Sequence, residues 1–149
     1  MNKHTFIIIL SVALFLTISI NAQTNFTMNE VYSRGTTADP DWIEIYNLTN
    51  SAVDISGYKI YDIGGQSGTK PKKEFASGTT IPANGYLVVV TDDTSASGFG
   101  LTSNGESVWI ENVSGVVVDS VVFPALQTNE SYSRVPNGGN WIFTNSITK

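Results

Sequence analysis

The chain has 149 residues with 13 acidic and 8 basic side chains, one His and no Cys, and its formal net charge at pH 7 is −5. This length suits one domain. The absence of Cys excludes disulfides, thiolate zinc sites and cysteine nucleophiles, and the negative charge argues against generic nucleic-acid binding, which relies on clustered Lys and Arg.

The N-terminal residues have the layout of a secretory signal peptide. Lys3 supplies a positive charge, Phe6–Ile20 is a nearly unbroken apolar run, and small Ala22 stands where cleavage is expected. A membrane-spanning helix needs about 20 apolar residues, which is longer than this run, although an uncleaved N-terminal anchor stays open as the alternative. We predict a signal peptide over residues 1–22, one domain over residues 23–149, and a secreted, periplasmic or cell-surface location.

Cleavage after Ala22 would remove His4, which is the only histidine. The mature chain would then contain neither His nor Cys. This excludes Ser-His-Asp and Cys-His catalysis, and zinc sites built on these residues. We therefore predict that the protein is not an enzyme and needs no cofactor, and that its stability depends on a hydrophobic core.

The mature region is typical of an all-β protein. Short β-branched and aromatic runs are separated by clusters of Gly, Asn, Asp, Pro and Ser, and no long stretch has the 3.6-residue apolar period of a helix. Eight or nine strands at this spacing indicate a sandwich or a barrel. The predicted strands are Phe26–Tyr32, Trp42–Asn47, Tyr58–Ile63, Glu74–Ile81, Tyr86–Thr91, Ser107–Asn112, Val116–Phe123, Tyr132–Val135 and Trp141–Thr144.

Two of these runs carry further information. Trp42–Tyr46 is apolar apart from Glu44, so we expect both of its faces to be at least partly covered. Tyr86–Val90 is continuously apolar, which favours a central strand. Between runs, Asn112–Gly115 predicts a tight hairpin and Ile81–Gly85 predicts a second turn.

Two longer segments predict loops. Ile63–Lys73 is rich in Gly and Lys, and Asp92–Asn104 is small and polar with Phe99 and Leu101 as its expected packing anchors. Residues 133–149 predict a last short strand or an ordered tail.

A series of short motifs runs through the chain in one order. The motifs are Met28-Asn29-Glu30-Val31, Trp42-Ile43-Glu44-Ile45-Tyr46-Asn47, Asp54-Ile55-Ser56-Gly57-Tyr58, Phe75-Ala76-Ser77-Gly78, Ile81-Pro82-Ala83-Asn84-Gly85, Asn104-Gly105-Glu106-Ser107-Val108, Gly115-Val116-Val117-Val118-Asp119-Ser120-Val121, Ser131-Tyr132-Ser133-Arg134 and Gly139-Asn140-Trp141. In this order, over about residues 26–144, they resemble the lamin-tail domain. No single motif is specific, but their shared order indicates the fold.

The resemblance implies an immunoglobulin-like β-sandwich of the lamin-tail type and says less about function. In nuclear lamins this module follows a coiled-coil rod, and this chain has no heptads, so a filament role does not carry over. Secreted bacterial proteins often carry such domains beside nucleases, adhesins or other extracellular modules. We therefore predict an exported, non-enzymatic interaction module that binds a protein or an envelope polymer, with the oligomeric state left open.

Three carboxylates are the candidates for chemistry. Glu44 lies between apolar residues on a strand, Asp119 lies on another strand, and Asp54 lies in a turn. A carboxylate-based hydrolase of the two-acid type would use Glu44 with Asp119. Without a histidine or nucleophile to complete a catalytic set, a structural role is favoured, with Glu44 accepting hydrogen bonds from turn amides or from Arg34 or Arg134.

Charged loops offer two further kinds of site. Lys70, Lys72 and Lys73 form the one basic cluster and are the residues of an alternative function, an accessory module for nucleic acid or another polyanion. Asp39–Asp41 and Asp92–Thr94 contain oxygen ligands suited to calcium, but they lack the regular spacing of a helix-loop-helix calcium site. Ordinary turn capping is favoured for both acidic segments.

The aromatic residues divide into two groups. Trp42, Trp109 and Trp141 lie on predicted strands, where core packing is the expected role. The six tyrosines include candidates for an exposed platform on which sugars stack.

Overall fold

A computed structural model describes residues 24–149, and the predicted signal peptide with its cleavage point lies outside them. The described residues contain eleven strands and one short helix. In chain order these are β1 (Phe26–Tyr32), β2 (Trp42–Asn47), β3 (Val53–Asp54), β4 (Lys59–Tyr61), α1 (Ile63–Gln66), β5 (Lys73–Glu74), β6 (Thr80–Ile81), β7 (Tyr86–Val90), β8 (Gly105–Glu111), β9 (Val117–Pro124), β10 (Ser131–Val135) and β11 (Asn140–Thr144).

The strands form two main antiparallel sheets. The first sheet has five strands in the order β11-β10-β1-β2-β7, and the second has four in the order β5-β4-β8-β9. The short strands β3 and β6 pair with each other. This arrangement confirms the predicted all-β sandwich, and the two-residue strands account for a count of eleven where eight or nine were predicted.

The core lies between the two main sheets because strand residues alternate between their faces. On β2, Ile43 and Ile45 belong to the buried cluster, while Trp42, Glu44 and Tyr46 stand on the opposite face. The second sheet contributes apolar side chains from β8 and β9. The buried cluster also includes Met28, Val31, Ile60, Val89, Val108, Ile110, Val121, Phe123 and Leu126.

The prediction that Tyr86–Val90 is a central strand is wrong. The strand β7 lies at the edge of the first sheet and pairs with β2. Its apolar run is explained by two covered faces rather than two neighbouring strands. Val89 and Leu87 pack on the core, and half-buried Val88 lines a groove on the other face.

Two predicted strands have different bounds in the structure. The run Glu74–Ile81 divides into β5 and β6, which belong to different sheets and are joined by a turn. The run Tyr58–Ile63 ends at Tyr61, because the Asp62 side chain accepts hydrogen bonds from the amides of Gly64 and Gly65 and caps α1. A carboxylate in this position stabilises the start of a helix by satisfying amides that have no partner within it.

Several local predictions are confirmed. The Asn112–Gly115 turn closes the β8–β9 hairpin, with Gly115 at a φ of 77°. Phe99 and Leu101 are buried and anchor the polar loop. Residues 140–144 form a last strand, β11.

The tryptophans do not share one role. Trp141 packs against the core cluster, as expected. Trp42 is buried on the opposite face of the first sheet, where it stacks on Tyr32. Trp109 is half-buried and stacks on Tyr61, so the predicted core role is wrong for Trp109.

Residues 24–149 include no helix that is both long and apolar enough to cross a membrane.

Candidate functional site

A concave feature lies on the face of the first sheet that points away from the core. We call it the outer groove, and its volume is about 740 Å³. Its floor is formed by β1, β2 and β7, and its walls by the β10–β11 hairpin and the residues after β11. The residues that line it include Asn29, Glu44, Tyr86, Val88, Arg134 and Asn137.

Glu44 lies at the floor of the outer groove because of the strand register. It is paired with Val88 on β7 and with Glu30 on β1. The alternation of β2 that buries Ile43 and Ile45 in the core therefore turns the Glu44 side chain to the groove. Only 5 % of Glu44 is exposed.

A hydrogen-bonded network centred on Asn29 holds this floor in place. The side-chain Nδ2 of Asn29 donates to Glu44 Oε1 at 2.9 Å and to Asn137 Oδ1 at 3.1 Å. Asn29 Oδ1 accepts from the Gly138 amide at 3.0 Å. The Asn137 side chain donates in turn to the Tyr86 hydroxyl. The Asn29 and Asn137 side chains together thus link β1, β2, β7 and the β10–β11 turn.

A β-bulge makes room for Asn29. The register between β1 and β2 shifts between Met28 and Glu30, so Asn29 is the extra residue of β1. Bulges turn a side chain out of the regular alternation and are common beside functional sites. Here the bulge brings buried Asn29 within reach of Glu44.

The expected partners of Glu44 are wrong. Arg34 donates to the backbone oxygen of Leu126 at 2.6 Å, and Arg134 donates to the oxygens of Met28 and Gly139. Neither guanidinium compensates the Glu44 charge. Burial raises the pKa of the Glu44 carboxyl, the Asn29 hydrogen bond lowers it, and the nearby Glu30 charge raises it further, so that the net shift is upward.

The neighbouring carboxylate, Glu30, is fully engaged. Only 1 % of Glu30 is exposed, and Ser131 donates to its Oε1 at 2.6 Å. The Thr148 hydroxyl donates to Oε2. Lys149 pairs with Asp39 in the loop before β2. These contacts hold residues 148–149 beside the groove.

Asp119 has a separate, structural position. It lies on β9 of the second sheet and accepts from the Met28 amide at 2.6 Å and from the Thr27 hydroxyl at 3.1 Å. It therefore joins the second sheet to β1 of the first. Burial raises its pKa despite these hydrogen bonds. Asp119 does not line the outer groove, so the groove does not unite the two carboxylates of the predicted two-acid alternative.

Each lysine of the predicted polyanion site faces a carboxylate of its own chain. Lys70 lies 3.3 Å from Asp62, and Lys72 lies 2.5 Å from Glu111. These pairs use the charge that a polyanion would need.

The third lysine, Lys73, pairs with Asp93. The Lys72 ammonium also lies over the Tyr61 ring of β4, 4.0 Å from its centre.

Asp41 and Asp93 of the acidic loops bind groups of their own loops and also groups far away in the chain. Asp41 accepts from the amides of Gly35 and Leu101, each at 2.8 Å. Asp93 accepts from Ser95 as well as from Lys73. Within residues 24–149, no group of three or more His, Cys, Asp or Glu side chains is arranged to hold a metal ion.

The family model of the lamin tail domain matches residues 20–125. The chain belongs to the lamin tail domain family. No curated protein matches the chain at a significant level. The match ends before β10, so the motifs at residues 131–134 and 139–141 lie beyond it, as does one whole wall of the outer groove.

Sequence reasoning identified Glu44 but missed the residues that position it. Asn29 belongs to the Asn29-Glu30 motif, but the motif does not show that Asn29 binds Glu44. Asn137 lies in the turn 136–139, which reads as an ordinary polar turn. Its contact with Asn29 joins positions 108 residues apart, which a sequence pattern does not reveal.

Proposed function

We propose that this protein is an exported, non-catalytic interaction module that holds its partner in the outer groove. The observation that carries this function is the position of Glu44: Asn29 donates to its Oε1, while its Oε2 has no hydrogen-bond partner among residues 24–149. This oxygen is not among the buried side-chain atoms that lack a partner, so it faces the groove and keeps its capacity to accept a hydrogen bond. A bound partner would supply what is missing.

Three lines of support favour binding over catalysis. The lamin tail domain is a non-enzymatic, immunoglobulin-like domain. Glu30 is the carboxylate paired with Glu44 across the strands, and both of its oxygens accept hydrogen bonds, from Ser131 and Thr148. It is therefore not available as a second catalytic acid. Tyr86, which is 46 % exposed at the rim, is a residue type enriched where proteins bind their partners.

The export part of this function rests on the sequence. The basic start, the apolar run Phe6–Ile20 and small Ala22 have the order that signal peptidases recognise. Polyanion binding through Lys70, Lys72 and Lys73 has no specific support in the geometry, because all three are paired with carboxylates.

A capture experiment with two lysine substitutions tests the use of the groove. Val88→Lys places an ammonium group at the groove floor beside Glu44, and it should block the site. Val122→Lys is the matched control, because Val122 is 74 % exposed on β9 of the second sheet. Immobilised proteins are treated with the envelope and medium fractions of the source cell, crosslinked, and analysed by mass spectrometry.

We expect a set of partners captured by the original protein and by Val122→Lys, and lost with Val88→Lys. If all three proteins capture the same set, the outer groove is not the binding site. Thermal unfolding of each variant establishes that loss of capture does not reflect loss of the fold.

A further inference from the structure

Glu44 differs from the other buried carboxylates of the described residues in the number of its partners. It receives one hydrogen bond, from Asn29. Each of the others receives two or more hydrogen bonds or an ion pair. These are Glu30 with Ser131 and Thr148, Asp41 with the Gly35 and Leu101 amides, Asp62 with Lys70 and two α1 amides, and Glu111 with Lys72 and Tyr61.

The cations that line the outer groove do not pair with the Glu44 carboxylate. Arg134 lies over the Trp141 ring, 4.6 Å from its centre, and donates to backbone oxygens. Lys149 pairs with Asp39. A buried carboxylate without a counter-charge is costly for the fold, so the groove is complementary to a cation that comes from outside the chain.

The edge of β7 provides a place for the chain that carries this cation. Among the described residues β7 pairs with β2 alone, and alternate residues of an edge strand direct their N–H and C=O groups outward. An extended segment added there would lie about 5 Å from β7 and so about 10 Å from β2. Val88 is the residue of β7 directly beside Glu44.

We propose that an extended segment of a partner protein pairs with the free edge of β7 and lays a lysine side chain across Val88, with its ammonium group on Glu44 Oε2. This inference rests on the proposed function, because it names the chemistry of the partner. Lysine has the long apolar stem that can cover a valine and the charged end that can reach beyond it. Strand addition supplies affinity through the backbone, and the lysine supplies specificity.

The charge balance of the groove favours a lysine over a neutral sugar. Sugar hydroxyls would satisfy the hydrogen-bonding capacity of Glu44 without compensating its charge, and the raised pKa of Glu44 agrees with a carboxylate that lacks a counter-ion. The Tyr86 hydroxyl, a natural partner for a sugar, already accepts from Asn137.

Two capped peptides of the sequence Thr-Val-Lys-Val-Thr test the inference with the purified full chain. One contains lysine and the other contains N-ε-acetyl-lysine, which has the same backbone and no charge. Binding is followed by amide chemical shifts in NMR titrations. We expect saturable shifts in β7 and at Glu44 and Asn137 with the lysine peptide, and binding at least tenfold weaker for the acetylated peptide.

Two matched substitutions complete the test. Glu44→Gln keeps an acceptor for Asn29 and removes the charge, and we expect it to weaken binding of the lysine peptide at least tenfold. Glu111→Gln removes a buried carboxylate on the second sheet, and we expect no change in binding. Melting temperatures establish that both variants fold.

Several results would overturn the lysine assignment. They are equal binding of the two peptides, no saturable shift at millimolar peptide, shifts confined to the second sheet, or a neutral disaccharide such as cellobiose binding in a Glu44-dependent way. If neither peptide binds while Val88→Lys still abolishes partner capture, the lysine assignment is wrong and the proposed function stands. If Val88→Lys leaves capture unchanged, the proposed function falls.

Discussion

The side-chain amide of Asn29 forms hydrogen bonds with three groups from two other parts of the chain, β2 and the β10–β11 turn. Its two N–H donors go to Glu44 and Asn137, and its oxygen accepts from Gly138. Asn and Asp have nearly the same shape, but Asp has no N–H to donate. Asn at position 29 is therefore needed for its hydrogen-bond donors more than for its side-chain volume.

We predict that Asn29→Asp is strongly destabilising at neutral pH. The new carboxylate would face Glu44 without a donor between them, and an uncompensated buried charge costs about 3–5 kcal/mol. Urea unfolding measures the loss. Asn145→Asp serves as the control, since Asn145 is exposed and makes one hydrogen bond to the Asn129 oxygen. A loss no larger than that of Asn145→Asp would show that the network is not needed for stability.

The acid response of Asp93 gives a second prediction at the scale of one residue. Hydrogen bonds from Lys73 and Ser95 lower the pKa of Asp93 from 3.8 to about 2. Since the folded state favours the ionised form, this stabilisation is present above pH 4 and is lost as the pH falls through about 2. The side chain is about one third exposed, so solvent screening limits its contribution to about 1 kcal/mol.

We therefore expect Asp93→Asn to be less stable than the original protein at pH 7, by about 1 kcal/mol, and nearly equal to it at pH 2. Urea midpoints across this range measure the difference. Asp92→Asn is the control at the neighbouring exposed position. A difference that persists unchanged at pH 2 would contradict the assigned cause.

At the scale of elements, the two main sheets are joined by a polar contact as well as by the core. Asp119 of β9 binds the Met28 amide and the Thr27 hydroxyl of β1. We predict that Asp119→Ala lowers the free energy of unfolding by about 1–3 kcal/mol, because a Met28 N–H loses its partner. Urea unfolding with Asp92→Ala as a surface control checks this. A change within about 0.5 kcal/mol, typical of surface sites, would argue against such a role.

The β10–β11 hairpin, which lies beyond the family match, depends on Trp141. Its ring stacks on Tyr132 at 5.0 Å and carries the Arg134 guanidinium on its face. We expect Trp141→Ala to cost about 2 kcal/mol, below the value for a fully buried ring because Trp141 is half-buried. Trp141→Phe should recover part of the loss in urea unfolding, whereas Ile142→Ala, at an exposed neighbour, should cost little. Equal effects for Trp141→Ala and Ile142→Ala would contradict this.

The strand β7 shows what the sequence could and could not predict. Alternation and turn residues located most strands, because side-chain period and glycine conformations are local properties. The order of strands within a sheet is not local. A run such as Tyr86–Val90 reports that both faces are covered, and this is true of an edge strand that has the core on one face and the outer groove on the other.

The candidate site was less predictable for a related reason. Glu44 is recognisable as a candidate from the sequence because it is an acid within an apolar strand. Its actual partner, Asn29, is set by a bulge that no composition rule detects, and Asn137 joins through a turn more than a hundred residues away. The basic cluster was visible in sequence, but its pairing with Asp62, Glu111 and Asp93 is a result of tertiary structure.

At the scale of the whole molecule, the lack of Cys determines which interactions stabilise the fold. A protein exported to an oxidising compartment often uses disulfides, and this chain has none. Its stability must come from the core between the two sheets and from polar contacts such as that of Asp119. A partner that neutralises Glu44 would add to that stability, since ligands that bind only the folded state raise its melting temperature.

Export itself is the last prediction. When the full chain is expressed in a bacterial host, we expect a product outside the cytoplasm that begins at Gln23, because small Ala22 fits the site of signal cleavage. Intact mass and N-terminal sequencing identify this product. Ala22→Phe should leave the precursor uncleaved, and Leu14→Arg, which interrupts the apolar run, should keep it in the cytoplasm. An original protein that keeps Met1 while reaching the envelope would instead indicate an N-terminal anchor, and the groove would then act at the membrane surface.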